Sequence, residues 1–106
     1  MNLRNGYAWL NLMPPKPDDF HVVGEVEVGN PGVQAELHER VPQGINPAIL
    51  QLDLHLVQRP GVWPQVTTWV QCRYDRIVCP GAATHTQVEI FHDGQPIALI
   101  DVDIVQ

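Results

Sequence analysis

Leu50-Gln51-Leu52-Asp53-Leu54-His55-Leu56-Val57 is the stretch that decides the fold. Leucine recurs at every second position, and Gln51, Asp53 and His55 fill the gaps. A period of two puts all four leucines on one side of a β-strand, whereas a helix would scatter them around its circumference. Burying that side stabilises the fold by roughly 1.5–3 kcal/mol per leucine. It also demands further strands to cover it.

The segments on either side supply them. Upstream, residues 7–13 form an apolar stretch that ends at Pro14-Pro15-Lys16-Pro17, where three prolines cannot donate to a ladder. Residues 22–28 alternate again, with Glu25 and Glu27 between Val26 and Val28. Gly29-Asn30-Pro31-Gly32 follows, and its Pro-Gly pair suits a type II turn. Beyond it, Val33, Ala35 and Leu37 alternate with Gln34, Glu36 and His38, which reads as a half-buried strand. The competing helix would be capped by Asn30, with Pro31 in its first turn and Val33, Leu37 and Val41 four apart. The strand is preferred because a four-residue loop sets Val28 against Val33 and Val26 against Ala35. Both sides of that hairpin then agree on the apolar face.

Downstream, residues 59–64 form a Pro/Gly-rich loop around Trp63, and residues 65–78 a long strand bearing Val66, Val70 and Cys72 on one side. A turn is expected over residues 79–83. The last two strands cover residues 85–92 and 96–105, with Asp93-Gly94 as a hairpin signal. A three-residue loop is favoured, with Gly94 or Gln95 left-handed as in a bulge. It pairs Val88 with Ile100 and Ile90 with Ala98, and sets Phe91 against Ile97.

These segments make six or seven short-linked strands in 106 residues, the size of one domain. The expected class is all-β: one domain over residues 1–106, an antiparallel β-sandwich or a small, partly open barrel. A single flat sheet is disfavoured because its leucine face would lie open to water. The composition, 44% hydrophobic against 17% charged, is that of a chain with enough apolar surface to fold. Ten prolines and eight glycines punctuate the strands rather than forming a block.

Net charge is −6 with only six Lys plus Arg, and the five arginines, Arg4, Arg40, Arg59, Arg73 and Arg76, are scattered. This excludes the basic stripe that a nucleic-acid binder needs and disfavours an anionic membrane surface. Residues 1–13 do not read as a signal peptide, and no apolar run reaches the length of a membrane span. A soluble, cytoplasmic protein is the expectation. Cys72 and Cys79, seven apart, either face each other across a tight hairpin at disulfide distance or lie as small side chains on one long strand.

No metal, phosphate-binding or nucleophile motif is present, so no cofactor is expected. In the favoured register the polar side of the C-terminal strands sets His85 opposite Asp103 and Gln87 opposite Asp101, with Glu89 alongside. If the leucine strand joins the same sheet, Asp53 and His55 share that face, as does Arg73. Imidazole beside carboxylate can ligate a metal or serve as a base. The plainer reading is a solvated wall with cross-strand pairs worth roughly 0.2–1 kcal/mol each. Asp18-Asp19-Phe20-His21 reads as a loop entering a strand rather than as a ligand set. Trp63 and Trp69, with Phe91 and Ile97, are candidates for an exposed interface, since tryptophan is enriched at such surfaces; equally, the tryptophans could plug the ends of the core.

The leading functional expectation is therefore a binding or interaction module, joined to a protein partner or to itself, with long strands offering unpaired edges. A small metal-binding or hydrolytic protein using the His/Asp/Glu face is the alternative. An apolar ligand inside a barrel is a further one.

Overall fold

The computed structural model describes residues 1–79 and 84–106, so most of the turn expected at residues 79–83 lies outside the described residues. The chain forms seven strands, β1 (Leu3–Asn11), β2 (Asp18–Val28), β3 (Val33–Glu39), β4 (Ile49–Gln58), β5 (Thr68–Val78), β6 (Gln87–His92) and β7 (Gln95–Val105), and covered side chains alternate with less covered ones most regularly along β2, β4 and β6. The described residues contain no helix.

The strands form one sheet in the order β3-β4-β6-β7-β1-β2-β5. It rolls up until its two edge strands, β3 and β5, lie against each other, which nearly closes a barrel. Closure meets the objection to a single sheet, because the apolar face becomes the interior. Phe20, Val22, Val26, Leu50, Leu52, Val88 and Ile90 are almost wholly covered, and no polar or charged residue among those described is buried. Three of the four leucines of the deciding stretch are buried, and Leu56 packs against them near the barrel's end.

Pairing is mostly antiparallel, with two parallel contacts: β1 with β7 and β4 with β6. A parallel neighbour needs a long crossover. Between β4 and β6 that crossover carries β5 to the far edge of the sheet, beside β2.

Two local expectations are corrected. The strand at β3 exists, but the hairpin with β2 does not: β2 pairs with β1 and β5, and β3 with β4. Its turn is not type II either. The positive-φ glycines are Gly61 and Gly94, not Gly32, and the Asn30 side chain instead accepts from the Gly32 N–H at 2.9 Å.

At the β6–β7 hairpin the core register is the expected one, Val88 with Ile100 and Ile90 with Ala98. The loop that gives it has two residues, Asp93 and Gly94, both at positive φ, with His92 opposite Gln95 and Phe91 opposite Pro96. The register shift that follows leaves Ile97 as the additional residue, so it does not oppose Phe91. Ile97 packs partly buried against the core instead.

Candidate interaction site

The residues expected to share a polar face are spread around the curved wall. Asp53 and His55 lie on β4, Glu89 on β6, Asp101 and Asp103 on β7, and Arg73 on edge strand β5. Each has a local partner. Arg40 donates to Asp53 at 3.1 Å, Gln51 to Glu89 at 3.1 Å, and Gln87 to Asp101 at 3.0 Å. Arg73 donates to both oxygens of Asp75 at 3.0 and 2.9 Å. His55 meets His38 edge to face, 4.9 Å between ring centroids.

Gln87 does oppose Asp101, but His85 does not oppose Asp103. His85 precedes β6 and its Nδ1 contacts the Pro47 carbonyl at 2.9 Å, while Asp103 pairs across the sheet with Trp9 of β1. The pKa of the Tyr7 phenol is raised, first by hydrogen bonding to Asp103, then by burial and by the Asp103 charge. Among the described residues no three His, Cys, Asp or Glu side chains gather as a metal site.

The expected interface residues are separated as well, and three of them carry an arginine. Arg4 lies 4.1 Å over the Trp69 ring, Arg40 4.4 Å over Phe91, and Arg59 4.9 Å over Trp63. Such contacts contribute about 0.5–1 kcal/mol at exposed sites. Four of the five arginines that look scattered along the chain are thus tied to aromatic rings, Arg76 lying 5.6 Å from the Phe20 ring, while Arg73 is held by Asp75. Trp63 also rests on Gly32 and donates from Nε1 to the Arg59 carbonyl at 3.0 Å.

Cys72 and Cys79 are both free, and no hairpin separates them. Cys72 lies buried on the inner side of β5, while Cys79 is exposed just past its end. Burial pushes the Cys72 thiol up to about 11. Since the thiolate is the reactive form, a maleimide at neutral pH is expected to label Cys79 in the folded protein and Cys72 only after denaturation. Mass spectrometry of the two peptides checks this; prompt double labelling would contradict the buried placement.

Two arrangements were not anticipated. The first is on the outer face of β2 and β5, where His21 stands between Asp19 and Asp75 with Trp9 stacked against it at 4.8 Å. The second is the seam between β3 and β5. Each strand has a ladder on one side alone, β3 with β4 and β5 with β2. Side chains bridge one end: the Tyr74 hydroxyl donates to Glu39 at 2.7 Å and the Arg76 guanidinium donates to the same oxygen at 3.1 Å. Burial, and then the Glu39 hydrogen bond, raise the Tyr74 pKa. Toward the other end, Pro31, Val33, Ala35, Arg59 and Val70 line an open groove of about 340 Å³.

No family model, curated protein or solved structure matches this chain.

The seam is thus the place where the fold leaves backbone groups of two strands without ladder partners. Both edges run in the same direction, as follows from the pairings around the barrel. A segment entering between them would find donors and acceptors on both of its sides.

Proposed function

We propose that the protein is an interaction module that takes up an extended segment of another polypeptide between β3 and β5, which would complete the barrel. The observation behind this reading is the pair of facing strand edges, neither with a ladder partner on the seam side. Unpaired edges are templates for strand addition, in which main-chain hydrogen bonds supply affinity and alternate side-chain positions supply specificity. Val33, Ala35 and Val70, partly buried along the seam, favour a segment with apolar residues at every second position. Cα atoms of the two edges now approach within 8 Å. A strand inserted between them needs about 9.6 Å, twice the ordinary spacing. The Glu39 bridge to Tyr74 and Arg76 would therefore open as the segment enters.

Selection of displayed random dodecapeptides on the immobilised protein tests this. The expected ligands alternate apolar and polar residues and slow amide exchange in β3 and β5 above all other strands. Ligands that leave those two strands unchanged, or a selection that returns none, would refute the reading. Light scattering across a wide concentration range shows whether a second copy supplies the segment.

Glu39→Ala is a sharper check. It removes both bridges, which at this exposed site contribute about 0.2–1 kcal/mol. The variant is expected to fold, to exchange its β3 and β5 amides faster, and to bind selected peptides up to roughly 5-fold more tightly. Weaker binding by titration calorimetry would contradict a bridge that holds the seam shut.

A further inference from the structure

His21 of β2 stands directly opposite Asp75 of β5 and uses both ring nitrogens. Nδ1 meets Asp75 Oδ1 at 2.5 Å, and Nε2 meets Asp19 Oδ2. An imidazole with an ionised carboxylate at each nitrogen must donate from both, and only the imidazolium can do so. The neutral ring would turn a lone pair toward an anion.

The surrounding groups hold this arrangement in place. Arg73 grips Asp75 through both carboxylate oxygens, and Asn11 of β1 donates to Asp19 at 3.2 Å. Trp9 of β1 covers the ring, with Tyr7 5.3 Å beyond it, and Asp103 of β7 pairs across from Trp9 on its other side. Lys16 and Arg76 stand around the groove that His21, Asp19 and Asp75 share, Lys16 being held by Asp18 and Arg76 by Glu39. Acidic and basic groups therefore face His21 from β2, β5 and the residues before β2, and the two nearest are carboxylates.

We propose that His21 is a proton-operated clasp between β2 and β5: protonated, it binds Asp19 and Asp75 together across the outer face of the ladder; on losing its proton it lets them go. Release is made easier because Arg73 keeps Asp75 paired. The clasp needs no segment in the seam and stands apart from that reading.

The direction of the pH response follows from the contacts. Desolvation opposes the charged ring, but the hydrogen bonds and charges of Asp75 and Asp19 together outweigh it, and the His21 pKa is raised from 6.5. A group held above its unfolded value contributes stability that is complete below 6.5 and is lost as pH rises through the folded value. Asp75 acts in the opposite sense. Its pKa is lowered from 3.8, first by the Arg73 hydrogen bond and with help from His21, so its contribution is present above 3.8 and disappears as pH falls below that. The clasp is therefore closed across the acidic range between the two and opens on the alkaline side.

NMR titration of the histidine ring protons in the full chain tests the proposal, with Asp75→Asn and Asp19→Asn as separate variants in case one fails to fold. The expected result is a His21 midpoint above 6.5 in the native protein, moved down by either substitution. Exchange of β2 and β5 amides, corrected for intrinsic pH dependence, and Trp9 emission should step at the same midpoint and lose that step in His21→Gln. A midpoint at or below 6.5, one unmoved by both Asn substitutions, or a step persisting in His21→Gln would overturn it.

Discussion

Replacing Leu52 with alanine is expected to lower the unfolding free energy by about 2–5 kcal/mol, the range for truncating a buried leucine. Leu52 has no solvent exposure and lies opposite Glu39 on β3 and Ile90 on β6, so its side chain sits in the middle of a three-strand wall. Of the neighbours that would have to collapse into the vacancy, Val88 and Ile90 are held by ladders on both sides, while Leu50 is paired to Val88 of β6 and Leu54 to Leu37 of β3. Such a site relaxes poorly, which favours the upper part of the range. Native domains have a net stability of only about 5–15 kcal/mol, so the midpoint of urea unfolding should fall sharply while the slope stays the same. On the same strand, Val57 is 46% exposed, and its replacement by alanine should change stability by no more than about 0.5 kcal/mol. Equal losses at 52 and 57 would contradict the inward placement of the leucines.

That contrast between inward and outward positions of one strand is the part of the fold legible in the sequence. Side-chain parity is a local property, and Leu50, Leu52, Val88, Ile90, Val22 and Val26 fall inside as their alternation requires. Strand order is not local. In the expected hairpin Val28 faces Val33; in the observed fold the two strands have different neighbours, yet both valines still point inward. Parity cannot separate these cases, because closing the barrel satisfies the same inside-outside pattern as the hairpin would.

The same limit governs the candidate sites. Asp19 and His21 stand two apart on one strand, so their shared outer face was readable once residues 18–21 were taken as strand rather than loop. Asp75 is 54 residues further on, and only the β2–β5 ladder brings it to His21. The reverse error separates His85 from Asp103: their expected pairing needed β6 to start earlier than Gln87, and Asp103 instead meets β1 in a parallel ladder that no hairpin signal announces. A seam defined by missing pairing leaves no mark on either strand that borders it.

Gly32→Ala is expected to destabilise the protein by about 1–3 kcal/mol, the usual cost of forcing extra volume into a filled site. The cause is steric rather than conformational, since Gly32 does not use a positive φ. A Cβ there would stand 2.4–2.5 Å from three atoms of the Trp63 indole, far inside van der Waals contact. The ring must move away. In moving it gives up its Nε1 hydrogen bond to the Arg59 carbonyl and its stacking under the Arg59 guanidinium. Arg59 also ties its own N–H to the Gly32 carbonyl at 2.8 Å, so displacement of the indole loosens the contact between the two loops. Trp63 emission should shift to the red as the ring enters water. A double-mutant cycle isolates the mechanism: in a Trp63→Ala background the clashing indole is gone, and most of the cost of Gly32→Ala should vanish, a coupling within the 0.5–3 kcal/mol seen for residues in contact. An undiminished cost in that background would mean the clash lies elsewhere. Pro31 and Arg59 also border the open end of the β3–β5 groove. The displaced loop should therefore change how selected peptides bind there as well as how stably the barrel folds.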